Sequence, residues 1–272
     1  MCINCINREG MYLIYPGKEL DIETRKQRLY HYTSFDSFVR IWLTKTLKFG
    51  EVTNMNDLFE NNPSAQTSVN NAECLDAYLK EKKKYKQISL AMDYDSYTLG
   101  CMSPMMWGQY ADKARGVCIE FSYKKLIDNM DNSMLHDVIN YDSKLPETPT
   151  ITKEDADDWD SYFRSHKKEE FFTKHDSWSK ENEYRIVSKE KKFLKIDDAI
   201  SAIYIAKYGS KERECIEKLL ESSNDVCLKC FYKDSMPSIG TYFNVCDIEM
   251  RKDHYKYIEE NGKVRNRRPD EM

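Results

Sequence analysis

The chain has 272 residues, of which 40% are hydrophobic and 32% charged, and its formal net charge is -4 at pH 7. This length allows a substantial buried core, and the slightly negative charge argues against broad binding to nucleic-acid backbones, which needs a strongly positive surface. The sequence has neither an apolar run of about 18 residues nor a charged start followed by an apolar segment, so we expect no membrane span and no signal peptide.

The cysteines favour a reducing environment. There are nine, an odd number, which indicates free thiols in a cytoplasmic protein rather than a disulfide framework. Two C-x-x-C pairs, Cys2 with Cys5 and Cys227 with Cys230, have a spacing that zinc sites use. No histidine accompanies either pair, and the second pair lies in a predicted strand, where alternation would point the two thiols to opposite faces. We therefore expect buried thiols and no metal site.

Strands and helices are mixed along the chain without a regular β-α-β order. After a lead-in over residues 1–27, strands are predicted at 29–33, 47–50, 97–103, 116–121, 184–188, 202–206 and 226–232. Helices are predicted at about 35–46, 72–86, from Pro104 onward, 122–130, 159–175 and 210–221. The mixture favours an α+β fold in a single domain over residues 28–240, followed by a C-terminal extension over 241–272. Within the domain, the acidic stretch near 143–160 holds two prolines and is predicted to be a mobile insertion.

His31 is the first candidate for the functional site. It lies between Tyr30 and Tyr32 in the first strand of the domain, so alternation places it on the opposite face from both tyrosines. A neutral histidine there could hydrogen-bond a ribose hydroxyl or transfer a proton. The alternative is a core histidine that is satisfied by the backbone.

Two further candidates flank the helix that starts at Pro104. Trp107 and Tyr110 are three residues apart and share one helix face. We expect Trp107 to pack in the core. Tyr110 and Ser103 suit a polar cleft better, because hydroxyl groups near a helix start can meet a polar ligand.

Glu181 and Glu183 form an E-x-E pair before a predicted strand. Two carboxylates on one side of an extended segment can position a nucleophile and face a developing cation. A glycosidic bond that breaks through an oxocarbenium-like state is stabilised by such an anion beneath the sugar ring. The alternative is an exposed acidic edge that pairs with Lys180 or Arg185.

Asn56, Asp57 and Glu60 could bind a metal or form a turn with a helix cap, and caps are commoner. The sequence contains no G-x-G-x-x-G, G-x-x-x-x-G-K-[ST], H-E-x-x-H or G-x-S-x-G motif. It therefore gives no support to dinucleotide-binding, P-loop, zinc-protease or nucleophile-elbow interpretations.

Four motifs together resemble a bacterial family, the 2971 family of domains of unknown function. They are the L-Y-H-Y-T motif at 29–33, an N-D-x-F-E segment at 56–60, the M-W-G-x-Y-A-D and G-V-x-I-x-F block at 106–121, and the W-x-x-E-x-E-Y-R block at 178–185. The resemblance covers about residues 28–206. The chain departs from the family pattern at Leu58, where proline is usual, and at Ala206, where glycine is frequent.

The order of these motifs is also similar to that of ADP-ribosyltransferase-like folds, which have a split central sheet. This similarity implies an NAD substrate and a role for each candidate. His31 would hold the ribose or diphosphate side of NAD, Tyr110 or Tyr32 would stack on nicotinamide, Glu183 would stabilise the oxocarbenium ion, and Glu181 would orient the acceptor. The cofactor-binding surface would also include Thr33, Ser103 and Arg185.

Three functions follow as expectations. The first is an NAD-dependent ADP-ribosyltransferase-like enzyme that cleaves the nicotinamide glycosidic bond and transfers ADP-ribose to an unknown acceptor, a protein or a nucleic acid, in phage defence or as a toxin. The second is a binding or sensor module whose cleft holds a nucleotide or a nucleic-acid end without reaction. The third is a Mg²⁺-dependent nuclease that uses Asp57, Glu60 and Glu120.

Overall fold

Fifteen strands and nine α-helices occur in the ranges that the computed structural model describes, which are residues 21–52, 55, 57, 66–67, 72–95, 98–144, 146–147, 149–206, 211–221, 223, 226–236 and 240–247. The strands are β1 Arg28–Thr33, β2 Thr46–Lys48, β3 Gly50–Glu51, β4 Gln66–Thr67, β5 Lys86–Met92, β6 Val117–Ser122, β7 Leu135–Val138, β8 Asn140–Asp142, β9 Thr150–Ile151, β10 Thr173–His175, β11 Glu183–Ser188, β12 Phe193–Lys195, β13 Ile200–Ile205, β14 Cys227–Met236 and β15 Gly240–Asp247. The α-helices are α1 Ile22–Arg25, α2 Phe35–Thr44, α3 Ala72–Lys82, α4 Pro104–Tyr110, α5 Tyr123–Asp128, α6 Lys153–Asp157, α7 Trp159–Ser165, α8 Lys167–Phe171 and α9 Lys211–Leu220. Two 3₁₀ helices span Gly100–Met102 and Asp176–Glu181.

A mixed sheet forms the centre of the fold. Its strand order is β15-β14-β13-β6-β1-β5-β11-β7, and β3 adds to β5 as a ninth strand. The pair β13–β14 is parallel and is connected through α9, whereas the other pairs of this sheet are antiparallel. The prediction of one α+β domain with a mixed central sheet and flanking helices is therefore confirmed.

The two faces of the sheet carry different cores. Leu29 of β1 lies in a largely aliphatic cluster with Ile119 of β6 and Ile88 of β5. On the opposite face, Tyr30 and Tyr32 of β1 pack in a second cluster with the ring of Trp107, whose Nε1 donates to the Cys101 carbonyl. We call this second surface the tyrosine face. The predicted alternation in β1 and the predicted core position of Trp107 are both correct.

The helices that flank β1 and the tyrosine face have sequence-encoded starts. Ser34 caps α2 by accepting a hydrogen bond from the Ser37 amide, and α2 buries Phe38 and Trp42 against the first core. Ser103 caps α4 in the same way, through the Met106 amide, with Pro104 in the first turn. The caps therefore fix where each helix begins relative to the preceding segment.

The sheet is split beside β5. Strand β1 pairs with β5 at only two positions, Leu29 with Met92 and Tyr30 with Ala91, although β1 pairs with β6 along its whole length. Further along the same edge, β3 pairs with the other end of β5, Gly50 with Gln87. Among the described residues, the edge of β5 over residues 88–90 has no strand partner on this side. The gap opens onto the tyrosine face.

Several predicted elements differ from the structure. The predicted helix 72–86 ends at Lys82, and the strand β5 that follows it was missed. Within the predicted strand 97–103, Gly100–Met102 forms a 3₁₀ helix that leads into α4. The predicted helix 159–175 is two short helices followed by β10. Residues 240–247, which span the predicted start of the C-terminal extension, pair with β14.

The structure describes most of the acidic segment and one of the two C-x-x-C pairs. Within residues 143–160, Ile151 is buried and α6 is held by a reciprocal capping box between Thr152 and Asp155. Cys230 is buried and Cys227 is exposed, as expected for opposite faces of β14, although burial of both thiols was predicted. Cys2, Cys5 and the short strand predicted near residues 12–15 lie outside the described residues. No helix in the described ranges is long and apolar enough to span a membrane.

Candidate functional site

A cavity of about 250 Å³ lies at the split in the sheet. Its walls come from β1, β3 and β5 on the two sides of the gap, and from α4, β10 and the start of β11. The lining residues are Tyr30, His31, Tyr32, Lys48, Gly50, Met55, Gln87, Ile88, Ser89, Leu90, Ala91, Met106, Tyr110, Lys174, Glu181 and Glu183. Five of the eight candidates named from the sequence, His31, Tyr32, Tyr110, Glu181 and Glu183, are thus brought together in one cavity.

The E-x-E pair forms the charged wall of this cavity. Glu181 ends a 3₁₀ helix and Glu183 begins β11, and the two carboxylates share one cation, Lys174. The Lys174 Nζ lies 2.8 Å from Glu181 Oε2 and 3.0 Å from Glu183 Oε2, and all three side chains are buried. Its ammonium group also lies 5.7 Å from the ring centroid of Trp178. The alternative of an exposed acidic edge is therefore wrong about exposure, although its pairing with Arg185 is observed.

Glu183 has a second cationic partner. Arg185 binds it with two hydrogen bonds, from Nε to Oε1 at 2.7 Å and from Nη2 to Oε2 at 2.9 Å, and Arg185 Nη1 donates to the Phe171 carbonyl. Burial alone would raise the pKa of Glu183, but the charges of Arg185 and Lys174, with hydrogen bonds from Arg185 and Ser89, outweigh burial and lower this pKa to about 2. Glu183 is therefore ionised at neutral pH and cannot serve as a general acid.

The partners of Glu181 differ from those of Glu183. The hydroxyl group of Tyr110 donates to Glu181 Oε1, while Oε2 accepts from Lys174. Tyr110 is half-buried at the end of α4. Two negative and two positive charges, from Glu181, Glu183, Lys174 and Arg185, cancel formally at this end of the cavity.

Asn182 sets the angle between the two glutamates. It has a left-handed backbone, with φ of 49°, and is buried. Its side-chain amide donates to the carbonyls of Met92 and Asp93 at the end of β5, at 2.8 and 3.0 Å. This turn ties the E-x-E pair to β5 and lets both carboxylates reach Lys174.

His31 fills part of the gap between β1 and β5. The Met92 amide donates to the Asn182 carbonyl on the side of β5 that faces β11. Backbone groups of successive strand residues point to alternate sides, so those of Ser89, three residues earlier, point to the opposite side, toward the gap. Burial lowers the pKa of His31, and a hydrogen bond to the Ser89 backbone acts in the opposite direction. The histidine is therefore neutral at pH 7. It lies beside the Ser89 backbone, as the second alternative expects, and it also lines the cavity, while its contact with a ribose stays a prediction.

Ser89 connects the two predicted catalytic regions. It is exposed, although its neighbours in β5 are buried, because the gap leaves its side open. Its hydroxyl group lowers the pKa of Glu183 and its backbone raises the pKa of His31, so Ser89 lies near both residues. Ser89 was not predicted as a site residue, because β5 itself was missed.

Three other predicted residues lie outside the cavity lining. Thr33 is buried at the end of β1, Ser103 acts as the cap of α4, and Arg185 is buried behind Glu183. Tyr32 lines the cavity, but its hydroxyl donates to the Gly100 carbonyl at 2.6 Å. These residues stabilise the structure around the cavity. Lys174, which belongs to no motif, contacts both glutamates instead.

Asp57 and Glu120, two of the three residues considered for a nuclease, do not line this cavity. Glu120 accepts hydrogen bonds from Tyr204 and Ser201, at 2.6 and 2.8 Å, and does not line the cavity. Asp57 is buried, and Glu60 and Asn56 lie outside the described residues. Across the residues with described positions, no group of three or more histidine, cysteine or acidic side chains could hold a metal ion.

Comparison with known proteins gives one match. Residues 106–186 match the family model described as "Protein of unknown function (DUF2971)". The match includes most of α4, β6, the E-x-E pair and most of β11, so it confirms the family resemblance over this segment. No curated protein matches the chain. No solved structure matches it either, so the similarity to ADP-ribosyltransferase-like folds stays a prediction.

Proposed function

We propose that this chain, whose residues 106–186 match the DUF2971 family model, is an ADP-ribosyltransferase-like enzyme that uses NAD as its substrate. The observation that carries the proposal is the buried, ionised Glu183 carboxylate in the wall of a cavity that also contains Glu181, Tyr110 and His31. An anion held in place beneath a sugar ring stabilises the positive charge that develops when a glycosidic bond breaks.

In the proposed reaction, the bond between the ribose C1′ and the nicotinamide nitrogen breaks, and its electron pair leaves with neutral nicotinamide. The remaining ribosyl cation is attacked by an acceptor, which loses a proton and forms the new bond to C1′. Glu183 faces the cation and Glu181 orients the acceptor. Tyr110 or Tyr32 stacks on nicotinamide, and neutral His31 contacts the ribose or the diphosphate.

The size of the cavity limits what enters it. Pockets that enclose drug-sized ligands have volumes of about 300–1,000 Å³, so a cavity of about 250 Å³ suits one ring and one sugar rather than a whole dinucleotide. We therefore place the nicotinamide riboside half of NAD in the cavity and the adenosine half outside it.

The test is nicotinamide release from NAD by the purified protein, with cell lysate as a source of acceptor and mass spectrometry to find it. Replacement of Glu183 by Gln keeps the shape of the side chain and removes its charge. We therefore expect the activation barrier to rise by about 2–4 kcal/mol and turnover to fall accordingly. A matched control is Glu170→Gln, because Glu170 is also paired with a buried lysine, Lys82, but lies away from the cavity. Equal turnover in wild type and Glu183→Gln would refute the role of Glu183.

Binding without reaction is a second candidate, and one observation favours it. Both oxygens of Glu183 are already engaged by Arg185, and one of them also by Lys174, so a ligand must share or displace these contacts. A sensor of this kind would be stabilised by ADP-ribose or NAD in a thermal unfolding experiment while NAD remained intact. Release of nicotinamide by wild type would exclude the sensor hypothesis.

A further inference from the structure

Gln87, a residue of the cavity wall, has a buried hydrogen-bond donor without a partner among the described residues. It lines the cavity from β5 and is only 3% exposed. Its side-chain nitrogen, Nε2, is buried and has no hydrogen-bond partner among the described residues. Buried polar groups are usually paired, and an unpaired one costs about 1–3 kcal/mol. An unpaired donor in a cavity wall is therefore suited to an acceptor atom that a ligand supplies.

The charge near Gln87 differs from that near the glutamates. Gly50 pairs with Gln87 across β3 and β5, and Lys48 lies two residues before Gly50 and also lines the cavity. Glu51 and Lys86 are directly paired in the next position, so their opposite charges offset each other. The charges around Glu183 cancel, so Lys48 gives the charged groups at the cavity a formal net charge of +1, and its position two residues before Gly50 places it on the same side of the cavity as Gln87.

The two ends of the cavity thus have complementary chemistry. The carboxylates at one end can accept hydrogen bonds from sugar hydroxyl groups. At the other end, an amide donor and an ammonium group suit anionic oxygen atoms, and lysine commonly binds phosphate as a point charge.

We propose that Gln87 and Lys48 bind a phosphoryl group, so that the cavity selects a phosphorylated nucleoside over the free nucleoside. This inference rests on the proposed function, because it assigns the 5′-phosphate of the nicotinamide riboside half to this end. Gln87 is then a specificity-determining residue for the ligand, while Glu183 faces the sugar.

The experiment compares the affinities of nicotinamide mononucleotide and nicotinamide riboside by titration calorimetry. A hydrogen bond to a charged group typically changes affinity by about tenfold or more, so wild type should bind the phosphorylated compound about tenfold more tightly. Gln87→Met, which has a similar shape without a donor, should remove most of this preference, and Gln87→Glu should abolish it. Gln87→Met should weaken binding of nicotinamide riboside less than binding of the mononucleotide. Gln109→Met, at an exposed position of α4, is the matched control and should behave as wild type.

Three outcomes overturn the inference: equal binding of both compounds by wild type, equal weakening of both compounds by the Gln87 variants, or no binding of any probe. A second pair of probes, ribose 5-phosphate and ribose, separates this inference from the proposed function. If ribose 5-phosphate is preferred in a Gln87-dependent manner while NAD stays intact, the phosphate site stands and the proposed reaction fails. If NAD is cleaved without any preference for phosphate, the reaction stands and this inference fails.

Discussion

The ammonium group of Lys174 lies 3.0 Å from the carboxylate of Glu183, and both side chains are less than 5% exposed. The same ammonium also binds Glu181, so removal of Lys174 leaves two buried carboxylates, of which Glu183 keeps its contact with Arg185. Breaking a buried ion pair by deleting one partner costs about 3–5 kcal/mol, because the other charge remains buried.

Lys174→Met should therefore lower the free energy of unfolding by about 3 kcal/mol, as measured by urea denaturation. The control is Lys195→Met, at an exposed position of β12, which should change stability by less than about 0.5 kcal/mol. An equal effect of the two substitutions would show that the central position of Lys174 contributes no net stability.

The lowered pKa of Glu183 predicts a specific pH dependence of stability. The carboxyl group titrates near the ordinary glutamate pKa of 4.5 when the chain is unfolded and at about 2 when it is folded, so its stabilisation is present above pH 4.5 and is lost as the pH falls toward 2. A shift of this size corresponds to about 3 kcal/mol at neutral pH. Urea denaturation at pH 7, 4 and 3 should show a steeper loss for wild type than for Glu183→Gln. Parallel curves would contradict the prediction.

Tyr110→Phe removes the hydroxyl group that donates to Glu181. Since one hydrogen bond contributes about 1 kcal/mol to stability, we expect a small change in unfolding free energy but a clear loss of nicotinamide release. Tyr162→Phe removes a similar tyrosine-to-glutamate bond, to Glu170 at 2.9 Å, away from the cavity. That control should lose comparable stability and keep turnover. Loss of turnover in both variants would assign the effect to general destabilisation.

Asn182 offers a test of how the E-x-E pair is held. Asn182→Gly keeps a residue that tolerates the left-handed backbone and removes the amide bonds to β5, while Asn182→Ala also adds backbone strain. The alanine variant should be less stable than the glycine variant by about 1 kcal/mol in thermal or urea unfolding. Equal stability would indicate that the turn relaxes out of the left-handed region.

Gly116 and Gly108, both within residues 106–186, allow a matched test of how much space surrounds the backbone. A Cβ atom at Gly116 would lie 2.1 Å from the Thr33 carbonyl oxygen, so Gly116→Ala must push β6 away from β1. We expect a loss of about 1–3 kcal/mol in unfolding free energy. At Gly108, in α4, an added Cβ atom meets nothing within 4 Å, and Gly108→Ala should stabilise the protein by about 0.5–1 kcal/mol. A destabilised Gly108→Ala variant would argue against the helix start at Pro104.

Much of the fold could be predicted from local patterns. The alternation in β1 and the serine that caps α2 each act within a few residues, so the sequence contains the signal that forms them. The missed strand β5 also had a local signal, because Gln87, Ser89 and Ala91 alternate with larger apolar residues. The predicted charged helix was extended to residue 86, so the period-2 pattern that begins there was not assigned to a strand.

The site was less predictable because its central contacts join distant segments. Lys174 has no motif of its own, and it becomes the shared partner of Glu181 and Glu183 only when β10 and the following 3₁₀ helix fold back. Likewise, the exposure of Ser89 depends on where β1 stops pairing with β5. Neither fact follows from spacing or residue type, because both depend on sheet order and register.

The gap beside β5 offers a way to detect whether a ligand occupies the cavity. Amide hydrogens in the central strands of a sheet usually exchange with solvent only through large-scale opening, whereas exposed or unpaired backbone exchanges through small local motions. Ser89 combines a central strand with an open edge, so the exchange rate of its amide should respond to whatever fills the cavity. Hydrogen exchange at this one position would therefore report binding of any compound, including one whose chemistry is not known in advance.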